Sequence, residues 1–400
     1  MTLLLVCVCA AFAAEVVVGV DAPTVQAAVD RATEGDTVVL GEGEWPGPVV
    51  LSRPMTLTSR GGVLVGDTGS TVTVLGPGVV LDGLHIRGSG DDLRGPDACV
   101  YVAPAGIGTV IVNSVVSDCL FGIWLHEVRG ARIQDNDVTG RPEERDPTKG
   151  NGIHLFDSEQ LMVSGNTVRG ARDGIFVSAT ENSVIRGNQV SDHRYGIHYM
   201  FSYDNTIEDN IANNNSGGIA LMESRGLTVT GNVATNNKRQ GIMFRDVQYS
   251  TIRRNVVEFN GEGLFFFSSL DNVIADNVIR GNQIGAKVWA GTERNEVEGN
   301  SFIANRQQVF YISPEDQVWG SNYWSDYLGW DQDSDGYGDR PYRTDAFLAQ
   351  LLHQYPAAVL LLNSPTLEVL SQLQTRLPAL RVATVVDPAP LVSPPVAGAN

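Results

Sequence analysis

Soft and hard ligand donors lie in separate parts of this chain. The soft set is His198, Met200, Met222 and Met243; Met222 follows Met200 by 22 residues and Met243 follows Met222 by 21. An imidazole combined with thioethers is a donor set that favours Cu(I) over hard cations. On neighbouring strands about 4.8 Å apart, His198, Met200 and Met222 can converge on one ion, with Met243 as a diagonal fourth donor. The same residue types also suit a protein interface, where methionine and aromatic side chains are enriched. The hard set is Asp331, Asp333, Asp335 and Asp339, within Asp331-Gln332-Asp333-Ser334-Asp335-Gly336-Tyr337-Gly338-Asp339. Alternating carboxylates followed by glycine match the first half of a calcium loop. Tyr342 stands where the bidentate acid of such a loop would be, so an acidic turn held only by water is the other reading.

Elements that recur at a fixed period must position the soft set. Gly122-Ile123, Gly152-Ile153, Gly174-Ile175, Gly196-Ile197, Gly218-Ile219, Gly241-Ile242, Gly263-Leu264 and Gly285-Ala286 are spaced 30, 22, 22, 22, 23, 22 and 22 residues apart. A second marker keeps the same period, from Asn113 through Asn136, Asn166, Asn188, Asn210, Asn232, Asn255, Asn277 and Asn300 to Asn322. Short alternating apolar runs separated by Gly, Asn, Asp and Ser are strand and turn patterns. Three such strands per repeat make one coil of a right-handed parallel β-helix, with Ile and Val stacking inward. The asparagines fit tight turns that need the left-handed conformation, and their amides can bond from coil to coil. If Ile points inward, the second and fourth residues after each Gly point out. That places Trp124/His126, His154/Phe156, Phe176/Ser178, His198/Met200, Ala220/Met222, Met243/Arg245 and Phe265/Phe267 on one outer face, with His193 in the turn just before. The long step contains an insertion within Arg141–Lys149, an exposed loop that either carries contacts or is simply tolerated.

The chain divides into a signal peptide (1–13), a solenoid (14–322), an aromatic and Asp-rich closing segment (323–343) and C-terminal helices with a Pro-rich tail (344–400). Met1–Ala14 is too short an apolar run to span a membrane and ends in the small-x-small site Ala11-Phe12-Ala13, with no basic residue ahead of it. Ala22–Thr33 has helical spacing and Thr24 as N-cap, which suits a cap on the solenoid. The C-terminal helices are expected over Asp345–Tyr355, Ala357–Leu362 and Thr366–Leu377, and their apolar surface must cover the solenoid or dock on a partner. Cys99 and Cys119 do not align in the repeat frame, which favours two buried or free thiols, although export would permit a disulfide. The net charge of −18 and the presence of only three lysines (Lys149, Lys238, Lys287) exclude a nucleic-acid partner and a polybasic membrane anchor. Many β-helices act on acidic sugars, so a carbohydrate-binding or carbohydrate-active protein is the alternative. The outer face, however, lacks paired carboxylates: Glu127, Asp157, Asp173, Glu223 and Asp246 fall at strand ends or turns.

Three segments carry a resemblance: Arg194-Tyr195-Gly196-Ile197-His198-Tyr199-Met200; Gly218-Ile219-Ala220-Leu221-Met222; and Asn322-Tyr323-Trp324-Ser325-Asp326-Tyr327 continuing to Pro341-Tyr342-Arg343. With the capping helix, the insertion after Gly140 and Val386-Asp387-Pro388, the chain resembles the NosD family of periplasmic maturation factors for the copper sites of nitrous oxide reductase. The resemblance implies a non-enzymatic periplasmic protein. It implies as partners an ABC transporter (membrane subunit and ATPase), a copper chaperone lipoprotein and the reductase. It strengthens His198, Met200 and Met222 as copper candidates, and gives the C-terminal helices a docking role on the membrane subunit.

Overall fold

The computed structural model describes residues 13–141, 148–311, 317–344 and 385–395, with single positions at 355, 364, 365, 369 and 373. The chain winds as a right-handed parallel β-solenoid of about 14 turns. Its strands form three sheets of 14, 12 and 13 strands, each joining strands from successive coils. One column of inward side chains on the 12-strand sheet runs Ile123, Ile153, Ile175, Ile197, Ile219, Ile242 and Leu264, all buried. The 14-strand sheet contributes Ile133, Val163, Ile185 and Ile207, and the 13-strand sheet Val138, Val168, Val190 and Ala212. Alternation with period two therefore sends one apolar residue in three directions per coil, and stacking makes the core continuous.

The asparagine column forms with one shift. Asn188 Oδ1 accepts from Asn166 N (3.0 Å) and Asn166 Nδ2 (2.9 Å), while Asn188 Nδ2 donates to Val163 O (3.0 Å) and Asn210 Oδ1 (2.9 Å). The pattern repeats to Asn322, so each amide satisfies backbone groups at a turn that water cannot reach. Asn113 does not belong to the column: Ser114 takes that place, its N–H donating to Asn136 Oδ1 (3.0 Å), and Asn113 is exposed. The left-handed residue is the one before each ladder asparagine, as at Asp135, Gly165, Gly187, Asp209 and Gly231. The ladder asparagine is chosen for its amide, not for its φ. A second ladder, Asn215–Asn237–Asn260–Asn282–Asn305, lines the turn ahead of the 12-strand sheet.

The Gly of each Gly-Ile pair is needed for space, not for a turn. A Cβ on Gly196, inside its strand, would sit 2.8 Å from Val190 Cγ2 and 2.9 Å from both Asn215 Nδ2 and Gly218 O. In this column Cys99 stands one coil before Gly122, as the register Ala98↔Phe121 and Val100↔Ile123 shows. The structure corrects the reading of two thiols: Cys99 and Cys119 are disulfide-bonded, with Cα atoms 5.6 Å apart. A register shift between Ser117 and Cys119, with Asp118 at φ 58°, turns Cys119 toward the adjoining sheet. Periodic spacing cannot reveal a contact that a bulge creates.

The ends are closed as the composition suggests. The capping helix is Val25–Arg31; Thr24 Oγ1 accepts from Ala27 N (3.1 Å), and Val25, Ala28 and Val29 are buried. At the other end Trp324 stacks between Phe302 (4.4 Å) and Tyr342 (4.2 Å). Tyr342–Arg343 pairs antiparallel with Val386–Asp387, which brings the fully buried Asp387 under the last ladder residue. Pro365, Val369 and Leu373 are helical; the three expected C-terminal helices otherwise lie outside the described residues, as do the signal segment 1–12 and positions 142–147 of the insertion. No helix among the described residues is long and apolar enough to cross a membrane.

Candidate functional site

The outer face of the 12-strand sheet carries three parallel columns. One runs Trp124, His154, Phe176, His198, Ala220, Met243, Phe265 and Lys287. The next, two residues along each strand, runs His126, Phe156, Ser178, Met200, Met222, Arg245 and Phe267. The third, three residues to the other side, contains Asp173, Tyr195 and Gly217.

Ala220 is the one small side chain between large neighbours in the first column. His198 flanks it on one strand and Met243 on the other, while Met222 follows it two residues along its own strand. Met200 pairs with Met222 from the His198 strand. Ala220, Met222 and Met243 form a buried cluster, with Tyr195, Met200 and Phe265 packed against it. The expected sulfur and imidazole donors thus surround one alanine. They are less exposed than an interface stripe would be: Met222 is 8% and Met243 7% accessible.

Asp173 organises the imidazole. It is 1% exposed and receives two bonds from Arg194, with Nε to Oδ1 at 2.9 Å, while its Oδ2 lies 2.8 Å from His198 Nδ1. A carboxylate can only accept here, so this contact places a ring proton of His198 on Nδ1, and in the neutral ring Nε2 is then the nitrogen that carries the lone pair. Nε2 is buried and has no hydrogen-bond partner among the described residues. Burial alone would raise the Asp173 carboxyl, but the bonds from His198 and Arg194 and their charge outweigh it and hold it down at about 2. It stays ionised at any working pH. A carboxylate behind a histidine, fixing its tautomer, is the arrangement found behind metal-ligating imidazoles.

His154 and His193 separate from this site. Phe176 stands between His154 and His198, with ring centroids 4.9 and 5.1 Å away. His154 stacks on Trp124 (4.7 Å), and burial pushes its imidazole down to about 4, so it is neutral near pH 7. His193 is not on the face. It sits inside the turn with Nδ1 2.9 Å from Ala171 O and Nε2 3.1 Å from Val168 O, in the place the second ladder gives to asparagine.

The closing loop gathers three of its four carboxylates. Asp331, Asp333 and Asp335 each offer an oxygen within 4.8 Å of the others. Asp339 is turned away, accepting from Gln332 N at 2.7 Å. The neighbouring Asp335 charge is the main cause of a raised carboxyl at Asp333. Asp331 also caps its own loop, accepting from Asp335 N (3.2 Å) and Gly336 N (3.0 Å).

In the sequence Asp173 reads as one more acid at a strand end or turn, outside any paired set. The available signal was separation: Arg194 and His198 follow it by 21 and 25 residues, about one coil, and one coil is the separation of touching neighbours in this fold.

Two family models match, "Periplasmic copper-binding protein (NosD)" over residues 135–329 and a family of unknown function (DUF1565) over 24–224. A probable ABC transporter binding protein NosD of Pseudomonas aeruginosa is 40% identical over 90% of this chain and 88% of its own length. The chain belongs to the NosD family. A second relative with the same description, from Stutzerimonas stutzeri, is 37% identical over 89% of the chain and 86% of its own length. The NosD match encloses Asp173, Arg194 and all four soft donors, and stops two residues before Asp331. Solved structures share the architecture. A periplasmic alginate epimerase superposes over 72% of this chain and 77% of its own (TM-score 0.54, 15% identity). An exopolygalacturonase of Thermotoga maritima does so over 73% and 87% (TM-score 0.53, 11% identity). At those identities the likeness concerns the fold alone.

Proposed function

We propose that this chain is a periplasmic copper-handling accessory protein that assists assembly of the copper centres of nitrous oxide reductase. In this reading it is held at the membrane by the membrane subunit of an ABC transporter and its ATPase, with the C-terminal helices as the docking element. It receives copper from a chaperone lipoprotein. The family description as copper-binding and periplasmic, and the relatives' description as transporter-binding, support the reading.

One observation of the molecule carries it: a buried imidazole nitrogen without a hydrogen-bond partner among the described residues, on the strand beside a cluster that holds three methionines. A buried polar atom left unpaired costs about 1–3 kcal/mol, and a soft monovalent ion is a fitting partner for it. Neutral thioethers and a neutral imidazole would hold Cu(I), while Asp173 keeps the imidazole oriented. Copper is cargo here: it passes by ligand exchange between donor and acceptor sites with no change of oxidation state, so the chain is not an enzyme. Sugar chemistry fits the face poorly, because its two acids, Asp173 and Glu262, are tied up by Arg194 and His198 and by Lys287 and Gln240. The test is reductase made in cells lacking this protein: it should be devoid of its copper-centre absorbance and regain it on complementation. A fully coppered reductase in such cells would sink the proposal.

A separate proposal concerns the closing loop, where three clustered carboxylates suit a calcium-class ion. Millimolar calcium should raise the melting temperature of wild type but not of Asp333→Asn/Asp335→Asn, since a ligand stabilises only what it binds. An identical rise in both would exclude the loop as the site.

A further inference from the structure

Beside the methionine cluster the same face opens into a groove of about 630 Å³, lined among others by Lys238, Arg239, Phe265, Phe267, Lys287 and Trp289. We infer that this groove docks an acidic, apolar-containing segment of the protein that exchanges copper with this chain; the inference rests on the copper-handling reading above.

Charge is the first argument. The chain carries −18 and has three lysines in all, and two of them line this groove. Lys287 is balanced by Glu262 (2.6 Å), which Gln240 Nε2 also holds (2.9 Å). Lys238 and Arg239 are exposed and form no ion pair among the described residues. The groove is therefore a cationic spot on an acidic molecule. A carboxylate-rich partner is repelled by the remaining surface and attracted here, which fixes its orientation during encounter.

The lining is the second argument. Phe265, Phe267 and Trp289 supply broad apolar area, and Lys287 Nζ lies 5.0 Å from the Trp289 ring centre and 5.6 Å from that of Phe265. Aromatic anchors with cations at the rim are the composition of a protein-binding surface. The groove is open on its outer side, so it offers a free small anion little enclosure, whereas a chain segment can lie along it.

Continuity is the third. Phe265 lines the groove and also packs on the Ala220–Met222–Met243 cluster. A segment seated on Phe265 therefore brings the residues next to it over the soft donors, which is what transfer by ligand exchange requires.

The experiment uses the full chain with the purified copper chaperone lipoprotein and with copper-free nitrous oxide reductase, followed by biolayer interferometry at about 20 and about 300 mM salt. Wild type should bind at least one of them, more than tenfold more weakly at high salt. Lys238→Glu/Arg239→Glu should lose at least tenfold at low salt, Lys238→Gln/Arg239→Gln should fall between, and both should keep the wild-type Cu(I) affinity and melting temperature. Equal affinity of wild type and the charge-reversed chain would overturn the docking inference and leave the copper reading standing. A wild type that binds neither protein, while still holding Cu(I), would overturn the docking and the assignment of exchange partners together. A wild type that also fails to hold Cu(I) would overturn the copper reading itself.

Discussion

Replacing Met200 and Met222 by Ala is expected to abolish tight Cu(I) binding, measured by competition with a chromogenic chelator. The two are register partners on adjacent strands and belong to one side-chain cluster with Met243. Removing both leaves His198 with one thioether, too few soft donors for a Cu(I) site. The loss should exceed the roughly 10–100-fold effect typical of removing an outer-shell partner, which is the effect expected of Asp173→Asn. A second variant tests the position of the site without removing a donor. Ala220→Leu keeps every donor but fills the place between His198 and Met243, and it should also lose binding. Overpacking there costs about 1–3 kcal/mol of stability, so the melting temperature of each variant must be read beside its affinity. Wild-type affinity in the double Met→Ala variant would leave this face as an interface only.

The second large effect is structural. Asp387 Oδ2 accepts from Asn322 N (2.9 Å), Asn322 Nδ2 (3.1 Å) and Trp324 Nε1 (3.0 Å), while Oδ1 accepts from Ser321 N (3.1 Å) and Ala389 N (3.2 Å). It ends the ladder by standing where the next asparagine would be. Asp387→Ala strips the acceptor from several buried donors at once and is expected to cost about 3–5 kcal/mol. Asp387→Asn, which retains one amide oxygen, should cost less. In a solenoid each coil is stabilised mainly by its neighbours, so the damage should be local. Hydrogen exchange should show loss of protection in the coils ending at Asn300 and Asn322, with the coils around Asn166 unchanged. Uniform loss along the whole chain, or none, would refute the capping role.

The repeat was legible because each coil makes the same demand: inward β-branched residues, an amide at one turn and no side chain where Gly196 and its equivalents touch the next coil. The outer face followed from alternation once Ile was placed inside. What stayed hidden were single events within the period. Asp173 is not a residue that the period repeats from coil to coil, since its register partner is Tyr195, and its meaning depends on Arg194 and His198 one coil later. Asn113 and Ser114 differ by one residue, and the polar signal favours the wrong one. The disulfide depends on a bulge, and the closure by Asp387 depends on a residue that follows Asn322 by 65 positions. Local pattern carries no information about such contacts.

The clasp at the closing end has a mechanical consequence. Residues 345–384 leave after Thr344 and return at Val385, where Thr344 N donates to Val385 O (3.3 Å) and Val385 N to Thr344 Oγ1 (3.2 Å). The two roots of this segment lie side by side, so a load applied by a partner between them arrives at one place. From there it passes through Asp387 into Asn322 and along an unbroken file of amide bonds. Such a file resists bending, and the solenoid would swing as a stiff lever rather than stretch. The methionines lie about four coils away, roughly 20 Å along the axis. A stroke delivered at the clasp would therefore move the methionine-bearing face bodily, without any coil having to open.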